Sequence, residues 1–145
     1  MFKHILIPVD GSPTAAMAVE KAIGLARAFG SEVTAMYVID PYPFAGIGTD
    51  VAYGQAQYLS AATAESATAI DNVKKAFDAS GLTVSTRVME GHAIFQTILD
   101  AATETGADLI VMGSHGRSGL EKLVLGSVTQ RVVSHAHIPV LVVRD

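Results

Sequence analysis

Five short apolar runs, at 3–9 (KHILIPV), 32–39 (EVTAMYVI), 82–89 (LTVSTRVM), 108–113 (DLIVMG) and 139–143 (PVLVV), are separated by stretches in which apolar residues recur at helical spacing. This alternation constrains the fold more than any other feature of the chain. Strands that alternate with helices pair in parallel, and a parallel sheet needs helices on both faces to bury it. In the first helical stretch Val19, Ala22, Ile23 and Ala26 share a face, behind Ser12 as N-cap and Pro13 in the first turn, with Gly30 as terminator. A second helix is expected near 61–80, packing Ile70, Val73 and Phe77 and stopping at Gly81, and the Ala and Thr that crowd Val51 to Ala79 suit a helix with a small-residue face. A third runs from about His92 to Thr105, with Ile94, Ile98 and Ala101 inward and Gly106 closing it; a fourth begins near Ser127. Between the second strand and second helix, DPYPFAGIGTD carries two prolines and two glycines and is expected as the longest loop.

The strands differ in a way that orders them. ILIPV and LIVM are apolar on both faces, as buried central strands must be. Leu82, Val84, Thr86 and Val88 instead alternate with Thr83, Ser85 and Arg87, which suits an edge. With the first and fourth strands central and the third at an edge, the order is 3-2-1-4-5 rather than 2-1-3-4-5. One domain over residues 1–145 is expected, since that length buries a sizeable core and half of the residues are hydrophobic.

Charge and cysteine content remove several functions. A formal charge of −4 makes no footprint for wrapping nucleic acid or lying on anionic lipid. The absence of cysteine excludes a disulfide scaffold, a thiolate metal site and a cysteine nucleophile, and suits a cytoplasmic protein. The apolar run near Met1 is too short for a signal-peptide core or a membrane span.

In open parallel sheets, ligands bind beyond the carboxyl ends of strands where the order reverses, here between the first and fourth. Asp10 ends the first of these in PVDGS, and Gly113 ends the fourth. A carboxylate there can accept ribose hydroxyls or help hold a divalent ion, while glycines allow backbone N–H groups close to phosphate oxygens. Gly126 and Ser127 would add free N–H groups at a helix start, where the dipole favours an anion, with Ser127 also capping the helix and donating its hydroxyl. Arg117 is a candidate counter-charge. An ordinary strand-to-helix turn would also explain DGS. No GxxxxGK[ST] and no GxGxxG after the first strand occur, and GRSG matches an RNA-binding GxxG loop only on four residues.

The run MGSHGRSGLEKLVLGS, 112–127, carries Gly113, two residues, Gly116, nine residues, Gly126 and Ser127. This G-x2-G-x9-G-[ST] spacing resembles that of ATP-binding members of the universal stress protein family. ILIPVDGS, YVID, DLIVMGSHGRSGL and PVLVVR are similar to that family too, so the resemblance covers nearly the whole chain. It implies a five-stranded parallel sheet in the order inferred above and an adenine nucleotide in the crevice. By the same resemblance Asp10, helped by Pro8, would take the ribose, and the backbone of Val38 would read the adenine edge. Met112 and Gly113 would line the ribose side, and Gly116, Arg117, Gly126, Ser127 and Val128 would surround the phosphates. ATP with Mg²⁺ or Mn²⁺ is the implied cofactor, the metal held by the phosphates rather than by protein side chains. Gly119 lies outside the pattern and is assigned turn chemistry only.

Five histidines invite a metal or catalytic role. His135 and His137, two apart, face different ways on a helix and have no third ligand at a useful spacing. His4 and His92, at element starts, suit solvated or capping roles, and His115 lies inside the glycine-rich loop. GSHGRSG is not the GxSxG elbow of hydrolases, and no Ser, His and Asp set can be assembled. No catalytic residue is therefore expected, and at most weak ATP hydrolysis: a nucleotide-dependent regulator or sensor in stress response is the expected function. The alternatives are a slow ATPase or nucleotidyl-transfer enzyme, or a module regulating a membrane transporter through Phe44 and Ile47 of the long loop. The last strand, apolar on both faces at a sheet edge, invites pairing with a second copy across a two-fold axis, a homodimer that the family resemblance also suggests.

Overall fold

The computed structural model describes residues 1–41, 49–116 and 124–145, and of residues 49–53 the helical backbone only. Strands β1 (His4–Pro8), β2 (Glu32–Ile39), β3 (Ser85–Glu90), β4 (Leu109–Gly113) and β5 (Val140–Val143) alternate with helices α1 (Pro13–Phe29), α2 (Thr49–Ala79), α3 (Ile94–Thr105) and α4 (Ser127–His135). The strands form one sheet in the order β3-β2-β1-β4-β5, every neighbouring pair parallel. The order follows from the strands themselves, because β1 and β4 have apolar side chains for both faces and β3 does not.

Alternation along each strand divides the core in two. Ile5, Ile7, Val33, Ala35, Leu109 and Val111 face α1 and α2, whereas Leu6, Met36, Ile110 and Met112 face α3 and α4. The first core is closed by Phe77, 1% exposed, on α2; removing a ring so buried costs about 3–5 kcal/mol. Local signals set the bounds of α1: Ser12 Oγ accepts the Ala15 N–H at 3.2 Å, and Gly30, at φ 66°, ends the helix left-handed.

Three boundaries differ from expectation. Helix α2 begins at Thr49, well before 61, because the alanine-rich stretch that follows propagates helix backwards through Gly54. Residues 42–48 of the expected long loop, with Phe44 and Ile47, lie outside the described residues. Helix α3 starts at Ile94 rather than His92, since the Gly91 N–H is donated to the Ile39 carbonyl at 3.0 Å and His92 pairs with Asp40 at 3.3 Å. In β3 the ladder begins at Ser85, and Val88 is 50% exposed while Met89 packs into the second core. An edge strand has a neighbour on one side only, which leaves part of its surface to solvent.

At the amino ends of β1 and β4, the Asp108 carboxylate accepts the His4 N–H at 3.0 Å and the Lys3 N–H at 2.9 Å. These backbone donors hold its pKa below the ordinary carboxylate range, against a smaller opposing effect of burial.

Candidate functional site

At the opposite, carboxyl ends of β1 and β4, where the strand order reverses, the described residues enclose a cavity of about 170 Å³. Pro8, Asp10, Val38, Met112, Gly113, Gly116, Gly126, Ser127 and Val128 all line it, so residues up to 120 positions apart in the chain, 128 minus 8, meet here. Arg117 and Gly119 lie outside the described residues.

Asp10 leaves β1 in an Asx turn: its Oδ1 accepts the Ser12 N–H at 2.9 Å, and Gly11 takes φ 82°. The turn and the site are thus compatible, because only one carboxylate oxygen is hydrogen-bonded among the described residues. The other, Oδ2, approaches the glycine loop: a Cβ on Gly116 would stand 2.9 Å from it.

Two expectations about backbone donors are corrected. The Gly126 N–H is not free but is donated to the Ser114 carbonyl at 2.8 Å, because Gly126 is the extended N-cap of α4 (φ −62°, ψ 157°) and its N–H points back at the exit of β4. Ser127 does not cap α4: it is the first helical residue, and the helix has no side-chain cap among the described residues. Its first-turn N–H groups, at Ser127, Val128 and Thr129, therefore find no hydrogen-bond acceptor among the described residues. Uncapped donors and the helix dipole together make the crevice wall attractive to an anion.

The glycines serve packing as well as access. A Cβ on Gly113 would stand 2.4 Å from Thr14 Oγ1 and 2.8 Å from the Thr14 carbonyl carbon, so the first turn of α1 can lie against β4 only if residue 113 is glycine. A Cβ on Gly126 would stand 3.1 Å from His115 Cα, a tighter contact than side chains ordinarily make. The loop is pinned from both flanking helices. Thr14 Oγ1 donates to the His115 carbonyl at 2.6 Å and Thr129 Oγ1 to the Gly113 carbonyl at 2.9 Å, both threonines buried.

Sequence reasoning missed these two threonines, since a threonine in a helical first turn carries no periodic signal of its tertiary acceptor. It also missed the apolar floor, where Met36, Ile94 and Ile98 join Val38. The spacing of Ile94 and Ile98 was legible as an inward helix face, but not that its start projects past the sheet into the crevice. Among the described residues no group of three His, Asp or Glu side chains is arranged to hold a metal ion, and no helix is long and apolar enough to cross a membrane.

An apolar floor, a carboxylate and a helix terminus meet around the switch-point crevice of a domain of the open parallel α/β class. The chain belongs to the universal stress protein family, whose family model matches residues 1–144. It is 40% identical to universal stress protein MJ0531 of Methanocaldococcus jannaschii over 99% of this chain and 83% of that one. The solved structure of MJ0577, from the same organism, superposes with a TM-score of 0.83 at 32% identity, covering 100% of this chain and 97% of that one. A universal stress protein solved in complex with cAMP shares the fold at a TM-score of 0.63 and 24% identity, over 99% of this chain and 97% of that one.

Proposed function

We propose that this chain is a cytoplasmic ATP-binding regulator, one domain over residues 1–145, whose crevice takes the adenine nucleotide with Mg²⁺ or Mn²⁺. The observation that carries this is the convergence, on one crevice with an apolar floor, of the α4 terminus and an Asp10 oxygen, neither of them partnered among the described residues. Each part suits a different portion of the ligand. Val38, Ile94 and Ile98 offer apolar surface to a base, with the Val38 backbone at the adenine edge. Asp10, beside Pro8, accepts ribose hydroxyls, with Met112 and Gly113 along the same side. The N–H groups of Ser127 and Val128 face phosphates, with Gly116, Gly126 and Arg117 around them. A single carboxylate among the described lining residues is too few for a cation site made by them, which fits a metal held chiefly by the phosphates. The cAMP carried by a more distant member of the fold is a ligand of the same chemical class.

Pairing of two copies through β5 is part of the proposal. The strand lies at the sheet edge, and Leu141 is 40% exposed. Sedimentation of the protein and of L141K would test it, a dimer that the variant splits being the expected result.

The deciding experiment extracts denatured protein for adenine nucleotide and titrates the emptied protein with ATP by calorimetry. Bound ATP or a saturable isotherm is expected; neither would sink the proposal. Sustained phosphate or AMP release with Mg²⁺ or Mn²⁺ would replace the regulator by a slow enzyme. ATP-dependent retention of a membrane transporter would assign the regulation to that partner.

A further inference from the structure

We propose, resting on the nucleotide reading above, that His115 binds a proton as the anionic phosphate chain enters the crevice, with Asp145 as its carboxylate partner, so that ATP affinity rises as pH falls. The His115 ring is 10% exposed and lies between two acceptors. Its Nδ1 is 3.4 Å from the Gly116 carbonyl, and its Nε2 is 3.5 Å from Asp145 Oδ1. The second contact is within ion-pair range but is not a hydrogen bond, and leaves Nε2 buried without a partner among the described residues. A neutral imidazole has one N–H and can satisfy only one of these acceptors, whereas the imidazolium donates to both.

The charges around the ring point the same way. From the tail after β5 comes Asp145, and from the β1–α1 turn comes Asp10, whose Oδ2 approaches neighbouring Gly116. The contacts from α1 and α4, through Thr14 and Gly126, are neutral. Asp10 and His115 are the only ionisable side chains lining the crevice among the described residues. A phosphate chain therefore adds negative charge beside a ring that already faces a carboxylate, and histidine is the side chain that changes charge between about pH 5 and 8. Its main chain is already fixed by Thr14, so only the proton has to arrive.

Calorimetry of the full chain with ATP, from about pH 5.5 to 8.5 in buffers of different ionisation enthalpy, tests this. H115Q, which keeps an amide donor without the charge, corrects for titration of ATP itself. The protein is expected to take up a fraction of a proton and to gain on the order of tenfold more affinity toward acid than H115Q does. Adenosine should bind independently of pH, and D145N should move the rise to lower pH. Equal pH profiles for protein and H115Q would overturn the proposal while ATP binding stands. No ATP binding at any pH would overturn both. If H115Q does not fold, an unmoved profile in D145N overturns the proposal.

Discussion

Two aspartates cap the same pair of central strands at opposite ends, and their environments diverge. Asp108 at the amino end gives both oxygens to backbone N–H groups of Lys3 and His4, which closes the site and depresses its pKa. Asp10 at the carboxyl end gives one oxygen to Ser12 and presents the other to a crevice. The difference separates structure from function: a carboxylate whose acceptors are all matched stabilises the fold, and one left half-matched beside uncapped helix donors is available to a ligand.

The sharpest break of this contrast is steric. Gly113→Ala drives a methyl group into the first turn of α1, and urea unfolding is expected to show a loss of about 3 kcal/mol, so this glycine is a packing residue before it is a binding one. A variant of undiminished stability would mean that α1 does not approach β4 so closely. Next comes Asp10→Ala, expected to lower ATP affinity by on the order of tenfold to a hundredfold, the range of a lost charge-assisted hydrogen bond. Calorimetry on D10A and D108N side by side sharpens the contrast, because only the first should lose affinity; equal losses would abolish it.

Ser12→Ala removes the α1 cap and should cost about 1 kcal/mol of stability, measured by denaturant unfolding. Asp108→Asn has the smallest expected effect, a lowering of Tm by roughly 2 °C at neutral pH. Its sign with pH is fixed: a carboxylate whose pKa is depressed by folding stabilises above its unfolded value, 3.8, and loses that stabilisation as pH falls through the lower folded value. The acid limb of the stability curve should therefore be shallower in D108N than in the parent, and an unchanged limb would show that Asp108 does not contribute to it.

Most of the fold was legible because its signals are local. Ser12, Pro13 and Gly30 bound α1 through contacts within one helical turn, and double-faced apolarity marked β1 and β4 as central. The start of α2 was misjudged because DPYPFAGIGTD ends in turn-rich residues, while the alanine-rich run beyond it has helical propensity but few apolar side chains to reveal a period. For the site, the glycine spacing picked out residues that the structure brings to one crevice, but not what each does there. Gly126 reads as a free donor until its bond to Ser114 is seen.

The sequence by itself determined the parallel α/β class, the strand order and the family, since each rests on patterns carried along the chain. Tertiary structure alone decided that Gly113 must be glycine because Thr14 lies on it, that α4 is left uncapped toward the crevice, and that His115 meets a carboxylate thirty residues on, 145 minus 115. Those facts arise where two elements dock independently on one sheet, and their separation is a property of packing that neither segment encodes alone.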